Sequence, residues 1–210
     1  MTGAPDGARY DATAFARDTG VSRETLERLE GFAALLAKWQ RAINLVAPDS
    51  FPDLWRRHML DSAVLYPLIP HGARTLVDLG SGAGFPGMVL AIMGVAEVHL
   101  LESDTRKCAF LTEAARLFAP GRVKVHRGRI EAAPPIAADV VTARALAELP
   151  GLLAYAARFL KPDGICLFLK GRRVEDELTL AGQTWTMAAD RLPNPAESGG
   201  IILRIKGLAR

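Results

Sequence analysis

The sequence predicts an α/β fold: a doubly wound, mostly parallel sheet with an N-terminal helical cap and an antiparallel hairpin at one edge. Three observations carry that prediction. From Arg74 onward, short apolar runs alternate with helix-length segments, the pattern of strands joined by crossover helices. The first of those runs leads straight into VDLGSGAGFPG, residues 77–87, a glycine-rich stretch placed where such sheets hold ligands. Before Arg74 the apolar spacing is three and four, so the first third of the chain reads as helical.

Residues 1–20, rich in Gly, Ala, Asp and Thr without a sustained period, read as a flexible N-terminal tail, and residues 21–210 as one domain. Ser22 has N-cap chemistry. Behind it Leu26, Leu29, Ala33, Leu36, Trp39 and Ile43 share one helical face, and Pro48 and Pro52 end the helix. A second helical stretch over about 54–66 completes a cap spanning 21–72. In the core, 73–210, strands are expected near 75–79, 97–101, 123–126, 140–142 and 165–169. Helices are expected near 86–93, 105–118, 148–160 and 174–183, the second burying Cys108, Leu111, Ala115 and Phe118. Two last strands, 184–192 and 201–205, flank the turn-rich segment 193–200 and read as the edge hairpin.

With 210 residues, 50% of them hydrophobic, the chain can bury one substantial core. Cys108 and Cys166 lack disulfide or metal spacing and read as buried thiols in a reducing compartment. His58, His71, His99 and His126 are equally scattered, so no metal is expected. The opening MTGAPDGARYDATAF holds acids and no apolar run, and the longest apolar run, 88–96, is far below the roughly 18 residues of a spanning helix. A soluble, cytoplasmic, monomeric protein without membrane contact is expected. Net charge is +3, and six lysines leave 20 arginines among the 26 basic residues. Bidentate recognition of phosphates and bases accounts for that bias, as does a plain compositional preference for arginine.

Gly80, Gly82 and Gly84 follow the first strand, where the chain must turn sharply and let a ligand approach the backbone. Such strings also mark nicotinamide and flavin sites. Asp78 narrows the choice. An acid two residues before the first glycine repels a pyrophosphate but suits the amino group of an amino-acid moiety, which favours S-adenosylmethionine over a dinucleotide. Glu102, at the end of the second strand, suits the ribose hydroxyls of either ligand. A loop cap for Asp78 and a solvated strand end for Glu102 are the plain alternatives. Ile130 and Glu131 fall at the rim of an adenine pocket, and Arg144 emerges at the carboxyl end of the fourth strand. Three basic clusters suit RNA phosphates or a solvated face: Arg56 and Arg57 beside His58; Arg122, Lys124, Arg127 and Arg129; and Lys170, Arg172 and Arg173.

Taken together these motifs resemble the RsmG (GidB) family of bacterial small-subunit ribosomal RNA guanine-N7 methyltransferases. The resemblance covers about 35–206. It rests on KWQRAINL at 38–45, RRHMLDS at 56–62, VDLGSGAGFPG, LLES, GRIE at 128–131, TARA at 142–145 and FLKG at 168–171. The FPG inside the loop and the RHMLDS before it are its specific parts. It implies a Rossmann-like class I methyltransferase fold, S-adenosylmethionine as cofactor, and methyl transfer to N7 of one guanine in a loop of small-subunit RNA, naked or in an assembling particle. It carries cofactor contacts onto Gly80, Phe85, Ile130, Glu131 and Arg144. Asn44, His58 and Lys170 match positions facing the site, so Asn44, His58 and Arg144 are expected to orient the reactants. Where the resemblance leads one to expect a Glu-Arg pair before the last strand, Glu197, Ser198 and Gly199 stand instead. A substrate-side arginine is therefore missing, or is supplied by Arg204.

Guanine N7 carries a free in-plane lone pair, so its attack on a sulfonium methyl removes no proton and needs no general base. The lack of a Ser/His/Asp or Cys/His arrangement agrees. Catalysis is then orientation and water exclusion. An arginine forked onto O6 and N7 would block the nucleophile, so recognition is expected at O6 and the Watson–Crick edge, with the base stacked on Phe85 or Arg144. Competing readings are methyl transfer to a small molecule or protein, a nicotinamide-dependent dehydrogenase, which Asp78 weakens, and a non-catalytic cofactor-binding or ribosome-assembly module.

Overall fold

The computed structural model describes residues 10–197 and 199–210. Two helices, α1 (Ala12–Thr19) and α2 (Arg23–Gln40), open the chain. A 3₁₀ turn (Pro48–Asp53), a π-helical run (Trp55–Leu60) and one α turn, α3 (Asp61–Ala63), follow. Then come β1 (Thr75–Leu79), α4 (Gly87–Met93), β2 (Glu97–Glu102), α5 (Thr105–Phe118), β3 (Val123–Arg127), β4 (Ala138–Arg144), α6 (Leu149–Ala156), β5 (Leu160–Lys170), α7 (Val174–Ala181), β6 (Thr186–Pro193) and β7 (Ile201–Ala209). The seven strands form one sheet in the order β3-β2-β1-β4-β5-β7-β6. β1 to β5 are parallel, and β7 lies antiparallel between β5 and β6.

This is the doubly wound sheet with an antiparallel edge hairpin that the alternation predicts. One face is covered by the cap helices with α4 and α5, the other by α6 and α7. The central strands are near-continuously buried because helices lie on both faces, and Asp78 is the one acid inside β1. Strand order reverses between β1 and β4, so the loops after them open a crevice at the carboxyl ends of the strands.

Two expectations about the cap need correction, and a third gains detail. Residues 12–19 are not a flexible tail. Asp11 caps α1 by accepting from Ala14 N at 2.8 Å, Gly20 ends it at φ +66°, and Phe15 is fully buried 5.4 Å from the Trp55 ring. The rest of the expected tail, 1–9, lies outside the described residues. α2 begins at its Ser22 cap but stops at Gln40, well before the prolines. The Gln40 amide replaces the next helical turn, accepting from Leu45 N and Val46 N and donating to Val46 O. The second helical stretch is mostly π-helical, a geometry that recurs at functional sites.

Candidate active-site cleft

The chain leaves β1 through Gly80, Gly82 and Gly84 at φ +64°, +57° and +90°, conformations that only glycine adopts freely. A Cβ on Gly84 would sit 2.8 Å from Met88, so that glycine serves packing. A Cβ on Gly82 would meet nothing nearer than a backbone oxygen at 3.9 Å, so that glycine leaves open room above the loop.

Asp78 lies beneath the loop, wholly buried. Its Oδ1 accepts from Thr142 Oγ1 at 2.9 Å and its Oδ2 from Gly87 N at 3.2 Å. Burial pushes its carboxyl up to about 6 against those hydrogen bonds. Asp78 is fully enclosed and does not line the cleft, so in place of the expected contact with a ligand's amino group it braces the loop against β4 and the first turn of α4. Glu102 supports the loop from the side, its Oε2 accepting from Gly82 N and its Oε1 from Asp104 N, both at 2.8 Å. Ile130 is buried in the cluster that contains Leu101. Glu131 is exposed, and its Oε1 accepts from Tyr155 Oη at 2.9 Å.

Gly80, Gly82, Phe85, His58 and Arg144 line one cleft of about 840 Å³. Its order comes from Arg144. Nη1 donates to Arg57 O at 3.0 Å and lies 3.4 Å from Asp61 Oδ2, while Nη2 stands 2.8 Å from His58 Nδ1. Arginine has no lone pair to offer, so His58 Nδ1 accepts and Nε2 carries the proton. Nε2 then donates to Ser50 Oγ at 2.9 Å, which donates to Ala47 O at 2.8 Å. Burial first, then the Arg144 and Arg57 charges, pull His58 down to about 3, which keeps the ring neutral as this bonding requires. The guanidinium lies 5.2 Å from the centroid of the Phe85 ring, which is itself almost wholly buried. Phe85 is thus largely covered, and Arg144 is more open at the cleft than the Phe85 and His58 rings beside it.

A profile of the family described as rRNA small subunit methyltransferase G (GidB) matches residues 25–203. The chain belongs to the GidB family. A relative from Paramagnetospirillum magneticum, called ribosomal RNA small subunit methyltransferase G, is 59% identical over 192 residues, 91% of this chain and 93% of that protein. Another of that name, from Rhodospirillum centenum, is 56% identical over 201 residues, 95% of this chain and 92% of that one. A putative O-methyltransferase from Klebsiella pneumoniae is similar in structure, with a TM-score of 0.59 at 16% identity over 86% of this chain and 90% of that chain. That likeness speaks for the fold, the Rossmann-like class I methyltransferase core.

The basic clusters of this GidB chain fare differently. Arg56, Arg57, Arg172 and Arg173 are exposed and line the cleft. Lys170 also lines it but pairs with Glu177 at 2.5 Å, its side chain 9% exposed, so it braces β5 against α7 rather than offering a free charge. The group on β3 does not assemble at the cleft. Arg122 stands at the far end of that strand and donates to Gly94 O, and Lys124 pairs with Glu97; only Arg127 and Arg129 lie at the carboxyl end. Arg204 sits three residues into β7 and pairs with Asp190 at 2.8 Å, so it does not supply the substrate-side arginine. Arg172 occupies that region instead, its Nε 3.1 Å from where a Cβ on Gly199 would lie. Asn44 is exposed beside the rim, its Oδ1 3.4 Å from Gln40 Nε2, and does not line the cleft. Sequence reasoning missed Ser50, Asp61 and Asn194. Asp61 had a signal, being part of RHMLDS, whereas Ser50 and Asn194 take their role from partners 8 and 133 residues away.

Proposed function

We propose that this chain is an S-adenosylmethionine-dependent methyltransferase that modifies N7 of one guanine in a loop of small-subunit ribosomal RNA, naked or in an assembling particle. The observation that carries the reading is the joining, in one cleft, of the glycine loop with an arginine that is hydrogen-bonded to His58 and Arg57 O beside the Phe85 ring. Membership of a family described as rRNA small subunit methyltransferase G supports the substrate class, and such a substrate implies a cytoplasmic location.

The residues fit the cofactor. Gly82 leaves room above the loop, the Glu102 carboxylate stands beside it, and Ile130 and Glu131 lie one strand further along. When bound, the cofactor supplies a methyl group on a sulfonium, which a lone pair attacks directly. This chain's own part is to bind, orient and exclude water. Nε and one hydrogen of Nη2 on Arg144 have no protein partner among the described residues, which leaves donors and a planar face for a purine's O6 and ring. Both nitrogens of His58 are engaged, so it orients Arg144 and accepts no proton from substrate. Arg56, Arg57, Arg172 and Arg173 suit the flanking phosphates.

Mass-spectrometric nucleoside mapping of small-subunit RNA and of assembling particles, after incubation with labelled S-adenosylmethionine, tests this. Label at N7 of a single guanine, lost in Arg144→Ala, is expected. Cofactor binding without any labelled RNA overturns the substrate and leaves the fold standing.

A further inference from the structure

Asp61 is a buried carboxylate whose two oxygens face two different elements. Oδ2 lies 3.4 Å from Arg144 Nη1 at the end of β4, and Oδ1 accepts from Asn194 Nδ2 at 2.6 Å. Asn194 is buried too, in the turn between β6 and β7. Its own Oδ1 accepts from Ala196 N at 2.9 Å, and its backbone N donates to Gly200 O at 3.0 Å. One amide therefore ties that turn to Asp61, and Asp61 ties it to the arginine. The same turn puts Ala196 and Glu197 on the cleft wall. Burial favours the protonated acid at Asp61, as does the Glu197 charge, whereas Asn194 and Arg144 favour the anion. The anion gives Nη1 a charge-assisted contact, which adds to the hydrogen bonds that Arg57 O and His58 Nδ1 accept from the same guanidinium.

We infer that Asp61 and Asn194 form a positioning pair for Arg144: the Asn194 amide keeps the Asp61 carboxylate aimed at Nη1, which holds the guanidinium beside the Phe85 ring and at the cleft. The inference rests on the reading of Arg144 as the group that orients the target base. It gives the β6–β7 turn a task beyond closing the sheet, because wall and arginine are then set together.

The test measures kcat and KM on small-subunit RNA across pH, with Tm, for wild type, Asp61→Asn, Asn194→Ala and the exchange Asp61→Asn with Asn194→Asp, using Arg144→Ala as reference. Asp61→Asn is expected to lower kcat by about ten- to a hundredfold, the range for a misplaced orienting group. Asn194→Ala is expected to move the acid limb of kcat to higher pH, because the Asp61 anion is then short of a donor. The exchange keeps an Asn-Asp hydrogen bond between helix and turn, so Tm returns toward wild type while kcat stays low, the charge having moved away from Arg144. Nitrogen-15 spectra of the Arg144 guanidinium give a readout without turnover: slowed rotation in wild type, lost in Asp61→Asn. Full kcat in the exchange, an unmoved acid limb in Asn194→Ala, or unchanged guanidinium spectra overturns the pair while an inactive Arg144→Ala keeps the cleft reading. Wild-type kcat in Arg144→Ala overturns the reading of Arg144 itself, and the pair with it.

Discussion

At the scale of single residues, burial acts on two titratable groups near Arg144 in ways that oppose each other in pH. It pushes the Asp78 carboxyl up to about 6 and the His58 ring down to about 3. Between about pH 4 and 6 the folded protein keeps a proton on Asp78 that the unfolded chain has released, so this contribution to stability falls as pH rises. Between about pH 3 and 6.5 the unfolded chain binds a proton that the folded His58 ring refuses, so that contribution rises with pH. The two slopes cancel in part. Denaturant unfolding of Asp78→Asn is expected to show stability rising more steeply with pH than in wild type, by up to about 3 kcal/mol across the window. His58→Gln is expected to deviate in the opposite sense. Parallel profiles for wild type and both variants would show that neither group titrates as its surroundings dictate.

At the scale of elements, the glycine loop separates packing from ligand space. A Cβ on Gly87 would lie 2.4 Å from Leu100 Cδ2 and 2.8 Å from Asp78 Oδ2, inside the core. Gly87→Ala is therefore expected to cost about 1–3 kcal/mol of stability, as overpacked cores do. Gly82→Ala has open space and a left-handed backbone, so about 1 kcal/mol of stability is lost. Its larger effect falls on S-adenosylmethionine, with affinity lowered by about tenfold, or about 1.4 kcal/mol. Calorimetric titration of both variants checks this, and wild-type affinity in Gly82→Ala removes the loop from the cofactor site. The elements also show what was legible. α5 announced itself through a run long enough to carry a period, and the seven strands through short apolar runs set between helix-length segments or turn residues. α1 did not, because an eight-residue helix anchored by Phe15 alone has too few apolar positions to set one. The end of α2 was equally hidden, since a side-chain amide in place of a proline stops it.

At the scale of the whole molecule, the cleft sorts the basic residues into those that line it with exposed charge and those engaged elsewhere. Filter binding of small-subunit RNA over a salt series is expected to show a shallower slope in Arg172→Ala and Arg57→Ala, by about 1 for each phosphate left without its arginine. Lys124→Ala is expected to leave the slope unchanged, since its charge, on the edge strand β3, is paired with Glu97 of β2. An equal effect from Lys124→Ala would move the RNA path to the β3 edge.

What the sequence by itself determined is local: strand and helix alternation, the turn that only glycines permit, and the motif residues Phe85, His58 and Arg144. Periodicity and backbone sterics act within a few residues and are written along the chain. Only the tertiary structure decided which groups face the cleft. Asp78 turned out to be a brace, Lys170 and Lys124 to be paired, Arg204 to be out of reach, and Asn194 to bear on Arg144 through Asp61. The reason is physical: a side chain's task is set by the neighbours that desolvate and bond it. In this fold those neighbours come from 64 residues away for Asp78 and 133 for Asp61.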